Sequence, residues 1–289
     1  MRGATGRWSR LQLALAAASV AWFGFQLWTL IDWGRLPWPG GDVTAIFDPA
    51  GDRLRAGQPV YQGAFSGAFF YGPPIAVFYG AISWLPPALA QAIVLAGELV
   101  ALRWLGGSWF GFCCALAFPV MPWELMSGQF NLVIAAGIVA AVGGDPRVAT
   151  GTAFAKLSSL IAIDPRDWRR ALPVVAVAIL VTLPWLSLWP AWIGLLVDAY
   201  RTPGIGPQIP VPWLPRAAVA VLLLLAWRPW SRAAAAVIAL PAFYFSSFVL
   251  FVAPVVVILR RIRPAEPRSH PLVALAEAAA RVRRGPHAG

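Results

Sequence analysis

The sequence predicts an all-α membrane protein, a polytopic helix bundle of about eight to ten apolar segments with one long loop after the first. Three observations predict it. First, 59% of the 289 residues are hydrophobic, 12% are charged and the mean hydropathy is +0.68. That is more apolar surface than a soluble core of this length hides. Second, the apolar runs are continuous rather than alternating. A bilayer admits only helices or closed barrels, and a spanning helix needs about 20 residues, so helices are expected. Third, the net charge of +11 comes from arginines clustered at segment ends. Arg2, Arg7 and Arg10 precede the first run, Arg166, Arg169 and Arg170 share a short loop, and Arg228 and Arg232 share another. Seven more lie between Arg260 and Arg284. This is the placement of the positive-inside rule, not of a nucleic-acid-binding face, so no nucleic acid partner is expected. It predicts a multi-pass protein of the plasma (inner) membrane, in contact with membrane lipids, with a cytoplasmic N-terminus.

The elements follow in order. Leu11 to Ile31 is the first span, with no small-x-small cleavage site at its end. An outer loop then covers 32–73. Apolar segments are expected at about 74–86, 88–105, 108–123, 130–143, 148–163, 171–189, 214–227 and 233–259. Pro86-Pro87 separates the first two of these. Several are short for a perpendicular span and read as paired, tilted or re-entrant. The last carries arginines at both ends, which favours a hairpin broken near Pro241. A second outer loop is expected at 190–213, ordered by its Gly and Pro turns or not at all. Residues 1–263 form the bundle. Residues 264–289 form a basic cytoplasmic tail, in which Pro271 to Arg284 reads as an amphipathic helix on the anionic inner leaflet.

Cys113 and Cys114 are adjacent inside an apolar run and read as small buried side chains. The only histidines, His270 and His287, are in the tail. A histidine triad or histidine metal site in the bundle is therefore excluded, and no metal or cofactor is expected.

The polar residues in apolar surroundings are the candidates for function. Glu98 is mid-segment, with Arg103 five positions on as a structural partner or a snorkelled cation. Glu124, Gln129 and Asn131 sit where a run ends. Side-chain amides there suit sugar hydroxyls and suit the capping of free backbone groups equally. Lys156 is the only lysine, against 22 arginines. It reads as a point charge for a phosphate or as a snorkelling side chain. The 32–73 loop holds four of the twelve carboxylates, Asp32, Asp42, Asp48 and Asp52. Asp48 and Asp52, with Arg53 and Arg55 at helical spacing, read first as caps and local ion pairs. Asp42 follows Pro-Gly-Gly at the start of a short helix, soon after Trp33 and Trp38, which suit the lipid interface. It has no basic neighbour and is placed to serve as a general base.

Four stretches carry a family resemblance: Asp42 with FDPAGDRLRAGQPVY (47–61), FYGPP (70–74), SGQFN (127–131), and the small-residue helix ending in Lys156. In order and spacing, over roughly residues 8–170, the chain resembles GT-C type membrane glycosyltransferases that use polyprenyl-phosphate sugars. It is closest to glycosyltransferase family 87, the alpha-mannosyltransferase-like proteins. The family's later Ser-Pro-x-x-Trp-x-His stretch is replaced here by PAFYFSSFVLFVAP.

The resemblance implies a GT-C-like bundle that moves a sugar, mannose or a relative, from a polyprenyl-phosphate donor to a lipid or glycan acceptor. Transfer would occur with inversion at the outer face. It implies Asp42 as the base with Asp48 in reserve, and Lys156 and Arg53 on the donor phosphate. Tyr71, Glu124, Gln129 and Asn131 would face sugar or acceptor. The chain has no GxGxxG loop for a soluble nucleotide donor. A transporter or lipid carrier, and a non-catalytic member of the family, are the competing readings.

Overall fold

The computed structural model describes residues 8–32, 34, 41–62, 68–201, 213–240 and 245–262, without side chains at 199–201 and 245. All regular elements among them are helical. The N-terminal arginines Arg2 and Arg7, Trp33, Trp38, Pro241 and the tail helix expected at Pro271 to Arg284 lie outside the described residues.

Among the described residues, three helical stretches are long and apolar enough to cross a membrane: α1 (Arg10–Asp32), α4 (Pro87–Gly106) and Pro165–Trp185, which contains α9 (Trp168–Thr182). A fourth becomes available if α5 (Trp109–Leu116) and α6 (Met121–Ser127) are one span broken at 95°. The other apolar helices are shorter: α3 (Pro73–Ile82), α7 (Asn131–Val142), α10 (Leu188–Arg201), α11 (Trp213–Ala226) and α12 (Pro229–Ile238). So is the stretch from the 3₁₀ segment Phe245–Phe251 into α13 (Val252–Leu259). The eight to ten segments expected from sequence thus include several that turn before a full crossing.

Along α1 only Ala16 is buried, and Leu11, Trp22 and Trp28 stand exposed. Exposed apolar faces recur on α9, α10 and α11, for example Leu180 and Leu222. In water such surface is unfavourable, at roughly 25 cal/mol per Å², so its natural solvent is lipid. The centre of the bundle is α7, apolar on every side and buried along almost its whole length. It packs on α4, α8 (Arg147–Thr152), α12 and α13.

Local chemistry sets the ends. Pro86 and Pro87 open α4, and Gly107 closes it in the left-handed conformation. The Ser108 hydroxyl accepts the Gly111 N–H at 3.0 Å and opens α5. The break before α6 passes through Val120 at φ 64°, a strained setting for a β-branched residue. Cys113 and Cys114 are half-buried rather than buried, because α5 lies against α1 and α4 without fully burying any of its residues.

Most of the described arginines gather at one end of the bundle, with Arg53 and Arg55 on the loop segment and Arg216, which donates to the Leu240 carbonyl, as exceptions. Arg260 donates to the carbonyls of Trp104 and Leu105 at the end of α4. Trp8 packs on Phe110, and Ile262 lies beside Gly143. Arg170 reaches the Gly144 carbonyl at 2.9 Å. The Asp164 carboxylate takes Arg166 at 2.9 Å and Arg232 at 4.0 Å, and Arg232 stacks on Trp227.

Two expectations are corrected by this arrangement. Both Arg147 and Asp164 are at the arginine end, so 148–163 is not a span. α8 runs inward and stops at Thr152, and a 3₁₀ segment (Leu157–Ala162) runs back. Lys156 stands at the turn between them, not at the end of a helix. The 190–213 region is not all loop either. Buried Leu188, Trp192 and Leu195 recur at helical spacing and carry α10 through Arg201 before the Gly-Pro cluster.

Candidate functional site

The loop between the first two apolar segments runs from the end of α1 at Asp32 to the start of α3 at Pro73. Gly41 and Asp42 open a π-helical turn (Val43–Phe47) that continues into α2 (Asp48–Arg55). Aromatic packing fixes this segment to the bundle. Phe47 is fully buried, with Tyr79 at 4.7 Å, Tyr71 at 5.0 Å and Phe130 at 6.3 Å between ring centroids. Phe130 lies between Gln129 and Asn131 in sequence, so the same cluster that holds Asp42's segment holds the amides.

The polar site is a chain of hydrogen bonds. Asp42 Oδ2 accepts from Gln129 Nε2 at 2.5 Å. Gln129 Oε1 accepts from Asn131 Nδ2 and from Ser246 Oγ, each at 2.9 Å. Asn131 Nδ2 also donates to Glu124 Oε2 at 2.8 Å, and Glu124 Oε1 accepts the Asn131 backbone N–H at 2.9 Å. Glu98, on α4, accepts the next N–H of the helix, that of Leu132, at 3.2 Å. Two carboxylates from neighbouring helices therefore cap the N-terminus of α7, where free N–H groups and the helix dipole favour negative charge. Gln91, seven residues before Glu98 on the same face of α4, donates to the Met126 carbonyl at 2.8 Å and closes α6.

Lys156 faces this chain. Its Nζ donates to Ser247 Oγ at 3.1 Å. Its position follows from the end of the loop. The Gly72 N–H donates to the Phe154 carbonyl at 2.6 Å, and a Cβ on Gly72 would lie 3.2 Å from Phe154. FYGPP needs its glycine because the loop meets the Lys156 turn there.

Burial holds the Asp42 carboxyl above its usual range, partly offset by the Gln129 hydrogen bond and the Lys156 charge. Asp48 is pushed up to about 6 by burial and by the Asp52 carboxylate, without a contribution from Lys156. Its Oδ1 is buried with no hydrogen-bond partner. Among the described residues, no three His, Cys, Asp or Glu side chains converge as a metal site.

Beside the polar chain lies a cavity of about 420 Å³ with almost wholly apolar walls. Phe154 and Leu157, on either side of Lys156, line it with Ile179, Leu186, Trp189 and Trp192. The indole N–H of Trp189 goes to Thr182 Oγ1 at 3.0 Å and that of Trp192 to the Phe70 carbonyl at 2.9 Å. The rings thus turn only carbon toward the cavity.

The structure brings Asp42, Gln129, Asn131, Glu124 and Lys156 together. It places Glu124 one step back, fully buried, with both oxygens taken by Asn131. Tyr71 stands in the aromatic cluster, its carbonyl accepting from Tyr61 at 2.9 Å. Arg53 donates to the Val60 carbonyl at 3.4 Å, tying down the end of α2. Of the two readings of Arg103, a partner of Glu98 or a snorkelled cation, the pairing is not formed. Glu98 caps α7, and Arg103 lies 4.9 Å from the Trp109 ring centroid. Sequence reasoning missed Ser246, Ser247 and the two cavity tryptophans. The adjacent serines in an otherwise apolar run were the available signal. Compared with family models, with curated proteins and with solved structures, the chain matches none.

Proposed function

We propose that the protein is a membrane glycosyltransferase that moves a sugar, mannose or a relative, from a polyprenyl-phosphate donor to a hydroxyl of a lipid or glycan acceptor. The observation that carries this reading is the opposition of Asp42 and Lys156 across a short chain of amides, beside an apolar cavity. Base, cation and lipid-sized groove are what a lipid-phosphate sugar donor requires.

In the proposed reaction Asp42 takes the acceptor hydroxyl proton as its oxygen attacks the anomeric carbon. The bond from that carbon to the phosphate oxygen breaks, and polyprenyl phosphate departs with the electron pair. Attack opposite the leaving group inverts the anomeric centre. A carboxyl whose pKa is raised by burial suits a base working near neutral pH. Gln129 holds one of its oxygens and leaves the other to the substrate. Lys156 meets the charge that develops on the phosphate. The cavity takes the first part of the lipid chain, and Asp48 is left a structural acid of α2. The arginine end faces the cytoplasm, which puts Asp42 toward the outer face.

The test is transfer of labelled mannose from polyprenyl-phosphate mannose in membranes holding the protein. Wild type is expected to transfer, and Asp42→Asn to lose at least about a hundredfold, the scale of a removed general base. Full activity in Asp42→Asn overturns Asp42 as the base.

Transport is the second reading, favoured by the broken segments and the buried Glu98 and Glu124. Movement of lipid across liposomes without sugar transfer would establish it instead.

A further inference from the structure

We propose that Ser246 and Ser247 are the positioning pair of this site, two adjacent hydroxyls that set how Asp42 and Lys156 stand relative to one another. The inference rests on the roles given above to those two groups. Both serines are buried, at 2% and 0% exposure, in a segment otherwise rich in apolar and aromatic side chains. A 3₁₀ segment turns about 120° per residue, so neighbouring side chains point in different directions. Here one reaches the acid side of the site and the other the cationic side.

The acid side is fixed by donor and acceptor logic. The Glu124 carboxylate accepts the backbone N–H of Asn131, and its other oxygen faces an amide NH₂. The same NH₂ donates to Gln129 Oε1. The Ser246 hydroxyl supplies the second donor to that oxygen at 2.9 Å. With its oxygen doubly occupied, the Gln129 amide has one orientation, and its NH₂ meets Asp42. Removing Ser246 leaves half of that lock, and the Gln129 donor swings away from Asp42.

The cationic side is simpler. Lys156 has a flexible four-carbon stem and three N–H donors. Ser247 takes one donor and stops the ammonium from settling against the carboxylates. The remaining donors stay directed at the phosphate position. Neither serine touches the reacting atoms in this scheme.

The experiment uses the full-length protein in lipid nanodiscs, with Ser246→Ala, Ser247→Ala and the hydroxyl-keeping Ser246→Thr and Ser247→Thr. Titration of the Asp42 carboxyl is read by infrared difference spectroscopy, with its band assigned through Asp42→Asn, so the Ser246 arm needs no turnover. Ser246→Ala is expected to move the Asp42 titration to higher pH, and Ser246→Thr to restore it. An unchanged Asp42 titration in a folded Ser246→Ala protein overturns the Ser246 half.

Polyprenyl phosphate is the probe for Ser247. Ser247→Ala is expected to weaken its binding about tenfold, the scale of one charge-assisted hydrogen bond, and Ser247→Thr to recover it. Unchanged affinity overturns that half. If polyprenyl phosphate fails to bind wild type while the Ser246 shift is present, the donor assignment falls and the positioning of Asp42 stands.

Discussion

At the scale of single residues, the four loop carboxylates have separate environments. Asp52 pairs with Arg55 at the surface, at 3.2 Å. Such a pair contributes little. Asp42 has an amide donor and a cation. Asp48 has burial and a neighbouring carboxylate, which is unfavourable for its charged form. Its folded value of about 6 lies above the ordinary 3.8. Between those values the native chain keeps a proton that the unfolded chain has released. Stability from this group is therefore greatest below pH 4 and falls as the pH rises to about 6. Asp48→Asn is expected to remove that slope and to be the more stable protein at pH 7 to 8. Thermal unfolding across pH in one detergent checks it. A retained slope would place its source elsewhere. Asp42 was legible in the sequence because Pro-Gly-Gly set it at a helix start with no arginine near. Its partner Gln129 is 87 positions away, and nothing local announces that bond. Lys156 was legible by its uniqueness alone.

At the scale of elements, proline and glycine punctuation read well. Both ends of α1 and α4 and the start of α3 lie within a residue of where the sequence put them, whereas α3 stops at Ile82, four residues short. The 148–163 run was left open between a crossing and a re-entrant segment, because apolar content does not tell a crossing from a turn made inside the bundle. The chain turns at Ala153 to Lys156, and only a lysine amid the run hints at it. Packing of α2 on α3 depends on two facing glycines, Gly51 and Gly80, and Gly51 is the tighter. A Cβ on Gly51 would lie 2.5 Å from the Tyr79 carbonyl oxygen and 2.9 Å from Ser83 Cβ. Backbone cannot yield as a side-chain tip does. Gly51→Ala is expected to cost about 1–3 kcal/mol, the range of overpacked cores, and to loosen the segment bearing Asp42. A lowered unfolding midpoint together with faster proteolysis near residue 56 is the expected result. An unchanged midpoint would mean that α2 rides freely on α3.

At the scale of the whole molecule, the membrane character was legible from composition and the clustering of arginines from their placement along the chain. The number of crossings was not, because short apolar helices count alike whether they span or turn. The contacts of Ile262 with Gly143, of Arg170 with Gly144 and of Arg232 with Asp164 put both ends of the 147–164 hairpin at one end of the bundle. Single cysteines at Asp52 and at Asp145, in a protein with Cys113 and Cys114 replaced by alanine, test this. An impermeant thiol reagent on intact cells is expected to label position 52 and spare 145 until the membrane is opened. Equal labelling of both would refute the orientation.

The lone ammonium facing Asp42 carries one more consequence. A phosphate arriving at Lys156 competes with that carboxylate for the same counter-charge. Whatever share it takes, Asp42 loses, and an acid deprived of its counter-charge holds its proton to higher pH. Under the proposed function, donor binding and proton uptake would be two sides of one equilibrium, with a bound donor making its own base stronger.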